Sequence, residues 1–167
     1  MKAAGVVVAI ALALALQTSL ARFLVGGTAA LDLVLVVVVY VALTSGPVKG
    51  MLAGSAAGIV QDALSSGTVG IGGLAKAIVG FGVGIIGQQF IVTAAFPRFL
   101  MFIVATLVHS ALFMGMYMLL GLKEFPSPWA AVLSQAIGNA VVGIVAFAII
   151  ESLPGAIERR RFKRSSR

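Results

Sequence analysis

The sequence predicts an all-α membrane protein, a bundle of six transmembrane helices. Of its 167 residues 60% are hydrophobic and only 10% are charged, and the mean hydropathy is +1.14. Because soluble domains are about half apolar and about a quarter charged, this composition excludes a soluble enzyme, a disordered chain and a secreted scaffold. The absence of cysteine excludes disulfide frameworks and cysteine-based nucleophiles or metal sites.

Six segments are long and apolar enough to cross a bilayer, since a spanning helix needs about 20 mostly apolar residues. They cover residues 3–21, 29–45, 48–66, 71–95, 99–121 and 129–153. The first also resembles a signal peptide because Lys2 precedes it, but its apolar run is longer than a usual signal core, which favours a retained helix. The links are short, so we predict one transmembrane domain at 1–157 and a basic tail at 158–167.

Turn residues separate these helices. Residues 45–47, Ser-Gly-Pro, predict a tight turn between helices two and three, and Gly67 and Gly70 lie in a polar loop between helices three and four. Pro97 is predicted to end helix four, because proline disrupts a helix interior.

The charge distribution predicts the orientation. The third segment is the least apolar and contains Gln61 and Asp62. If this segment crosses the membrane, most basic residues of the chain lie on one side of it. With six spans the cytoplasmic side holds Lys2, Lys49, Arg98 and the tail, and the outer side holds Arg22 and Lys123. The positive-inside rule therefore favours six spans with both termini in the cytoplasm.

The net charge of +7 is concentrated in the tail and is not a nucleic-acid signal. The basic tail residues are Arg159, Arg160, Arg161, Lys163, Arg164 and Arg167. Beside a membrane helix such a cluster is a topology anchor that contacts anionic lipid. Contact with an acidic protein partner is the alternative.

Small residues form stripes on two neighbouring helices. Gly50, Gly54 and Gly58 recur every four residues before Asp62, and Lys76, Gly80 and Gly84 have the same spacing on the next helix. Residues four apart share a helix face, and small residues let membrane helices approach closely. We therefore expect helices three and four to pack stripe to stripe.

Ionisable residues inside a membrane are functional or partner-binding candidates by default. Asp62 and Lys76 lie equally far from the intervening loop, so we predict that they form an ion pair; the alternative is that Asp62 accepts hydrogen bonds from loop amides or the start of helix four. Asp32 is either the N-cap of helix two or a member of an outer polar cluster.

Four other polar residues lie within the predicted helices. His109, midway along helix five, is a hydrogen-bonded packing residue or else a proton carrier or ligand. Gln135 and Asn139 share a face of helix six and either join helices or line a path. Glu151 is expected at the inner interface, where it meets Glu158 and the tail arginines and the charges compensate one another.

No catalytic, cofactor or metal residue is predicted. The glycines of 82–87 match G-x-G-x-x-G but follow no strand, and the chain has neither an HExxH sequence nor a Walker loop. Asp32 and Asp62 lack the context of a membrane aspartyl protease, and Ser55 with His109 lacks an orienting acid.

Residues 31–84 resemble the core of MreD, the rod shape-determining membrane protein of bacteria. The similar features are the aspartate that opens helix two, the tight glycine turn and a small-residue helix ending in GIVQDALSSGTVGIGGLA. Asp62, Gly67, Gly70, Leu74 and Ala75 fit the D-x-x-S-G-x-x-G-x-x-A-L-like element of the family, with the last two in swapped order.

This resemblance implies a non-catalytic scaffold of the cell-elongation machinery. Such a protein binds MreC and connects the actin-like MreB to peptidoglycan synthesis by RodA and its class B penicillin-binding protein. MreD is also similar in fold to the substrate-binding subunits of energy-coupling-factor vitamin transporters, which supplies the alternative function. A vitamin binder needs an outer, polar pocket with aromatic residues, and beyond phenylalanine the chain offers only Trp129, Tyr40 and Tyr117.

Overall fold

The computed structural model describes residues 3–23, 31–65, 68–90 and 94–165, with side chains at 4–19, 31–65, 68–90 and 94–152. These ranges contain six helices and no strand. The helices are α1 (Ala3–Phe23), α2 (Leu33–Ser45), α3 (Pro47–Leu64), α4 (Ile71–Gln89), α5 (Ala95–Leu119) and α6 (Trp129–Ser165). The predicted all-α membrane bundle is therefore confirmed.

The helices differ in their capacity to span a bilayer alone. Within the described ranges three are both long and apolar enough, at Ile71–Gln89, Ala95–Leu119 and Trp129–Ser152. The 13 residues of α2 extend only about 20 Å, whereas the hydrocarbon layer is about 30 Å thick.

Helix α2, which is bounded by the Asp32 N-cap and by Gly46, lies in the centre of the bundle. Its residues are apolar all round, which is typical of a helix buried on every face. Leu35, Val36, Val39 and Ala42 form the main core with residues of three other helices. Those partners are Val79, Val83, Phe102, Ala105, Ala140 and Phe147. A smaller cluster packs Ala13 and Leu14 of α1 against Val34 and Ala57.

The predicted packing of the glycine stripes is confirmed. A Cβ added to Gly50 would lie 2.5 Å from the carbonyl oxygen of Gly80, and one added to Gly58 would lie 2.5 Å from the Cα of Gly73. A Cβ at Gly54 would collide with the backbone of Lys76. The backbones of α3 and α4 are thus in direct contact, which any side chain at these positions would prevent.

The structure confirms one turn and corrects another. Only Gly46 separates α2 from α3, and its φ of 92° favours glycine; Pro47 then begins α3. The prediction that Pro97 ends helix four is wrong, because α4 ends at Gln89 and Pro97 lies in the first turn of α5. Proline is tolerated there because the first amides of a helix have no intrahelical acceptor.

The predicted tail is continuous with the last helix. α6 runs past residue 157 through Pro154 to Ser165. The side chains of Arg159, Arg160, Arg161, Lys163 and Arg164 lie outside the described residues, as does Gly67 of the loop between α3 and α4.

Candidate functional site

A buried ion pair joins α2 to α4. Lys76 Nζ lies 2.8 Å from Asp32 Oδ2, and the two side chains are only 4% and 6% exposed. Lys76 Nζ also lies 3.2 Å from His109 Nε2 of α5. Because the lysine ammonium can only donate, Nε2 accepts and the ring proton of a neutral His109 lies on Nδ1.

Asp32 combines both of its predicted roles. It precedes Leu33 as the N-cap of α2, and its Oδ1 accepts a hydrogen bond of 2.9 Å from the backbone N–H of Leu35. Its other oxygen belongs to the polar cluster with Lys76. A single carboxylate therefore satisfies a helix terminus and neutralises the buried ammonium.

Asn139 connects α6 to this cluster. Its Oδ1 accepts a hydrogen bond of 2.9 Å from the backbone N–H of Asp32, and its Nδ2 lies 3.2 Å from Thr106 Oγ1 of α5. Asn139 is fully buried, so it joins helices and does not line a path. Together Asp32, Lys76, His109, Thr106 and Asn139 form a polar network, which connects α2, α4, α5 and α6.

The predicted ion pair between Asp62 and Lys76 is wrong, and the alternative for Asp62 is correct. Asp62 Oδ2 accepts hydrogen bonds from the backbone N–H groups of Gly70, Gly72 and Gly73, at 2.9, 2.9 and 3.2 Å. The first amides of a helix have no intrahelical acceptor and carry the positive end of the helix dipole, so a carboxylate is well placed there.

The error arose because the ion pair was predicted from the number of residues that separate each side chain from the loop. That number places Asp62 and Lys76 at similar depths, but it does not give the rotation of either helix about its axis. Since α3 and α4 meet through Gly54 and the backbone of Lys76, the side chain of Lys76 extends toward α2 and α5.

A cavity of about 590 Å³ opens at the end of the bundle that carries the α3–α4 and α5–α6 connections. Asp32, Lys76 and His109 are among its lining residues. Further lining residues come from α3, from α5 and from the link to α6: Gln61, Asp62, Phe113, Tyr117, Lys123, Glu124 and Phe125.

The cavity has the polar and aromatic character that the vitamin-binding alternative requires, but only one of the three aromatic residues first considered contributes to it. Tyr117 lines the cavity, whereas Trp129 is 73% exposed and the Tyr40 ring packs tilted against Phe147, with a centroid distance of 4.5 Å. Phenylalanines supply the other rings. The described ranges contain no group of three histidine, aspartate or glutamate residues that could hold a metal ion.

A family model, described as the rod shape-determining protein MreD, matches residues 2–154 of the 167-residue chain. The chain belongs to the MreD family. It is a rod shape-determining membrane protein, and the match extends well beyond residues 31–84, which carried the sequence resemblance. No curated protein and no solved structure matches the chain.

This MreD family member has a second ion pair, which lies between α5 and α6 at the opposite end. Arg98 Nη2 lies 2.6 Å from Glu151 Oε1, and the guanidinium carbon is 4.3 Å from the centroid of the Phe147 ring. Arg98 therefore compensates the charge of Glu151, whereas the sequence predicted the tail arginines, whose side chains lie outside the described residues.

Sequence reasoning missed the hydrogen bond between Thr106 and Asn139. Thr106 and Asn139 are separated by 33 residues, and no local pattern pairs them. The available signal was a polar residue on an otherwise apolar membrane helix, which usually faces another helix.

Proposed function

We propose that this protein is a non-catalytic scaffold of the bacterial cell-elongation machinery in the cytoplasmic membrane. It binds MreC and connects MreB to the wall synthases RodA and the class B penicillin-binding protein, with both termini in the cytoplasm. The family match over residues 2–154 is the observation that carries this proposal.

The packing of the bundle supports a role in binding other membrane helices. The links between consecutive helices from α2 to α5 are short, so most of the described surface consists of helix faces. Large apolar side chains on several helices are exposed, among them Leu16 (55%), Leu52 (59%) and Ile149 (55%). The polar network holds α2, α4, α5 and α6 together, so these faces are presented by a stable bundle.

Co-purification from native membranes tests the proposal. The tagged protein is expected to recover MreC and the wall synthases. Tryptophan substitutions of Leu16, Leu52 and Ile149, each on a different helix, should include at least one that loses MreC while the protein remains folded. Recovery of a transporter ATPase pair without MreC would overturn the scaffold function.

The cavity is the observation that favours the vitamin-transporter alternative. Its rings and polar groups meet the chemical requirement of a solute site. The same co-purification separates the two functions, because a substrate-binding subunit must associate with its ATPase pair.

A further inference from the structure

One wall of the cavity is a continuous row of rings. His109 stacks on Phe113 with a centroid distance of 5.9 Å and an interplanar angle of 25°. The ring centroids of Phe113 and Tyr117 are 4.8 Å apart, and those of Tyr117 and Phe125 are 6.2 Å apart. The row begins at His109, which is 7% exposed, and ends at Phe125 in the α5–α6 link. Such a wall favours a ligand that contains a flat ring.

Two buried polar atoms of the cavity lining have no hydrogen-bond partner among the described residues. They are His109 Nδ1 and Gln61 Oε1. Since His109 Nε2 accepts from Lys76, Nδ1 carries a proton and is a donor, whereas Gln61 Oε1 is an acceptor. Buried polar atoms without a hydrogen-bond partner are unfavourable, so both atoms favour a polar ligand.

The charges of the lining disfavour an anionic ligand. Asp32 neutralises Lys76, and Asp62 is already bonded to three backbone amides. Lys123 lies 5.3 Å above the Phe125 ring, and Glu124 beside it also lines the cavity. A carboxylate or phosphate in the cavity would therefore meet acidic groups without a buried cation of its own.

We propose that the cavity binds a small neutral molecule with a flat ring and a carboxamide or lactam edge. The ring packs against Phe113 and Tyr117, the ligand carbonyl accepts from His109 Nδ1–H, and the ligand N–H donates to Gln61 Oε1. The cavity volume of about 590 Å³ lies within the usual range of small-molecule sites. This site goes beyond the scaffold function.

Saturation-transfer NMR on the full protein in nanodiscs tests the site. Nicotinamide, a neutral ring with a carboxamide, is the probe, and nicotinate is its anionic isostere. Transfer to nicotinamide at about 10 mM is expected, with at least tenfold weaker binding of nicotinate. Absence of transfer to nicotinamide, or equal binding of both probes, would overturn the proposal.

Two substitutions locate the binding. Gln61→Leu leaves the polar network intact and should weaken nicotinamide binding about tenfold. His109→Phe keeps a ring against Phe113 but removes the Nδ1 donor, and should weaken binding at least as much. Gln88→Leu makes the same chemical change as Gln61→Leu in the last turn of α4, away from the cavity, and should bind like the wild type. If Gln61→Leu also binds like the wild type, the assigned site is wrong.

Discussion

The two ion pairs of this protein differ in burial far more than in chemistry. Lys76–Asp32 is 4% and 6% exposed, whereas Arg98–Glu151 is 13% and 56% exposed. A buried pair is surrounded by groups that cannot solvate a charge, so the loss of one partner is costly. An exposed pair contributes little because water solvates either partner alone. Burial therefore decides which pair holds the bundle together.

The largest expected effect comes from breaking the buried pair. Lys76→Met leaves the Asp32 carboxylate without a cation and should lower the free energy of unfolding by about 3–5 kcal/mol. Thermal unfolding in a mild detergent measures the loss. In the double variant Asp32→Asn, Lys76→Met no charge remains unpaired, so much of the stability should return. Additive losses would show that the two side chains do not act as a pair.

A side chain between α3 and α4 should have the next largest effect. Gly54→Ala places a Cβ against the backbone of Lys76 and should cost about 1–3 kcal/mol through overpacking. The matched control is Gly82→Ala on α4, where an added Cβ meets nothing within 4 Å. That control should leave the thermal stability unchanged or raise it. Equal losses in the two variants would contradict close packing of the stripes.

Removal of the Asp62 carboxylate should cost less. Asp62→Ala leaves the amides of Gly70, Gly72 and Gly73 without their acceptor, and we expect a loss of about 1–2 kcal/mol, as for a helix cap. Asp62→Asn retains one acceptor oxygen and should lose less. Combined with Lys76→Met, the Asp62→Ala loss should add, since Asp62 and Lys76 are not partners. Strong coupling between them would revive the ion pair that the structure excludes.

The exposed pair should give the smallest effect. Glu151→Gln removes the negative charge, but Arg98 stays over the Phe147 ring and Glu151 is already 56% exposed. We expect no measurable change in the thermal unfolding midpoint. A loss comparable to that of Lys76→Met would mean that burial does not separate the two pairs.

Much of the fold could be predicted because its signals are local. Apolar runs indicate the helices, and the four-residue spacing of Gly50, Gly54 and Gly58 indicates the face that α3 presents to α4. Helix ends were predicted less well, since Pro97 is compatible both with ending one helix and with beginning the next.

The candidate site was only partly predictable. Asp32, Lys76 and His109 were candidates because ionisable groups in a membrane are costly. The sequence indicated an outer polar cluster that includes Asp32, but it paired Lys76 with Asp62 and did not place His109 beside Lys76. The sequence positions each residue along its own helix but not relative to helices distant in the chain. The row of rings that ends at Phe125 needs the α5–α6 link to turn back over α5, which no periodicity shows.

By itself the sequence determined the membrane class, the number of helices and the glycine contact between α3 and α4, since hydropathy and spacing are properties of neighbouring residues. Tertiary structure alone decided that Lys76 pairs with Asp32 and that Asp62 caps α4. The physical reason is rotation about the helix axes. Two carboxylates were available to one ammonium, and only the packing of α2, α4 and α5 determines which of them it can reach.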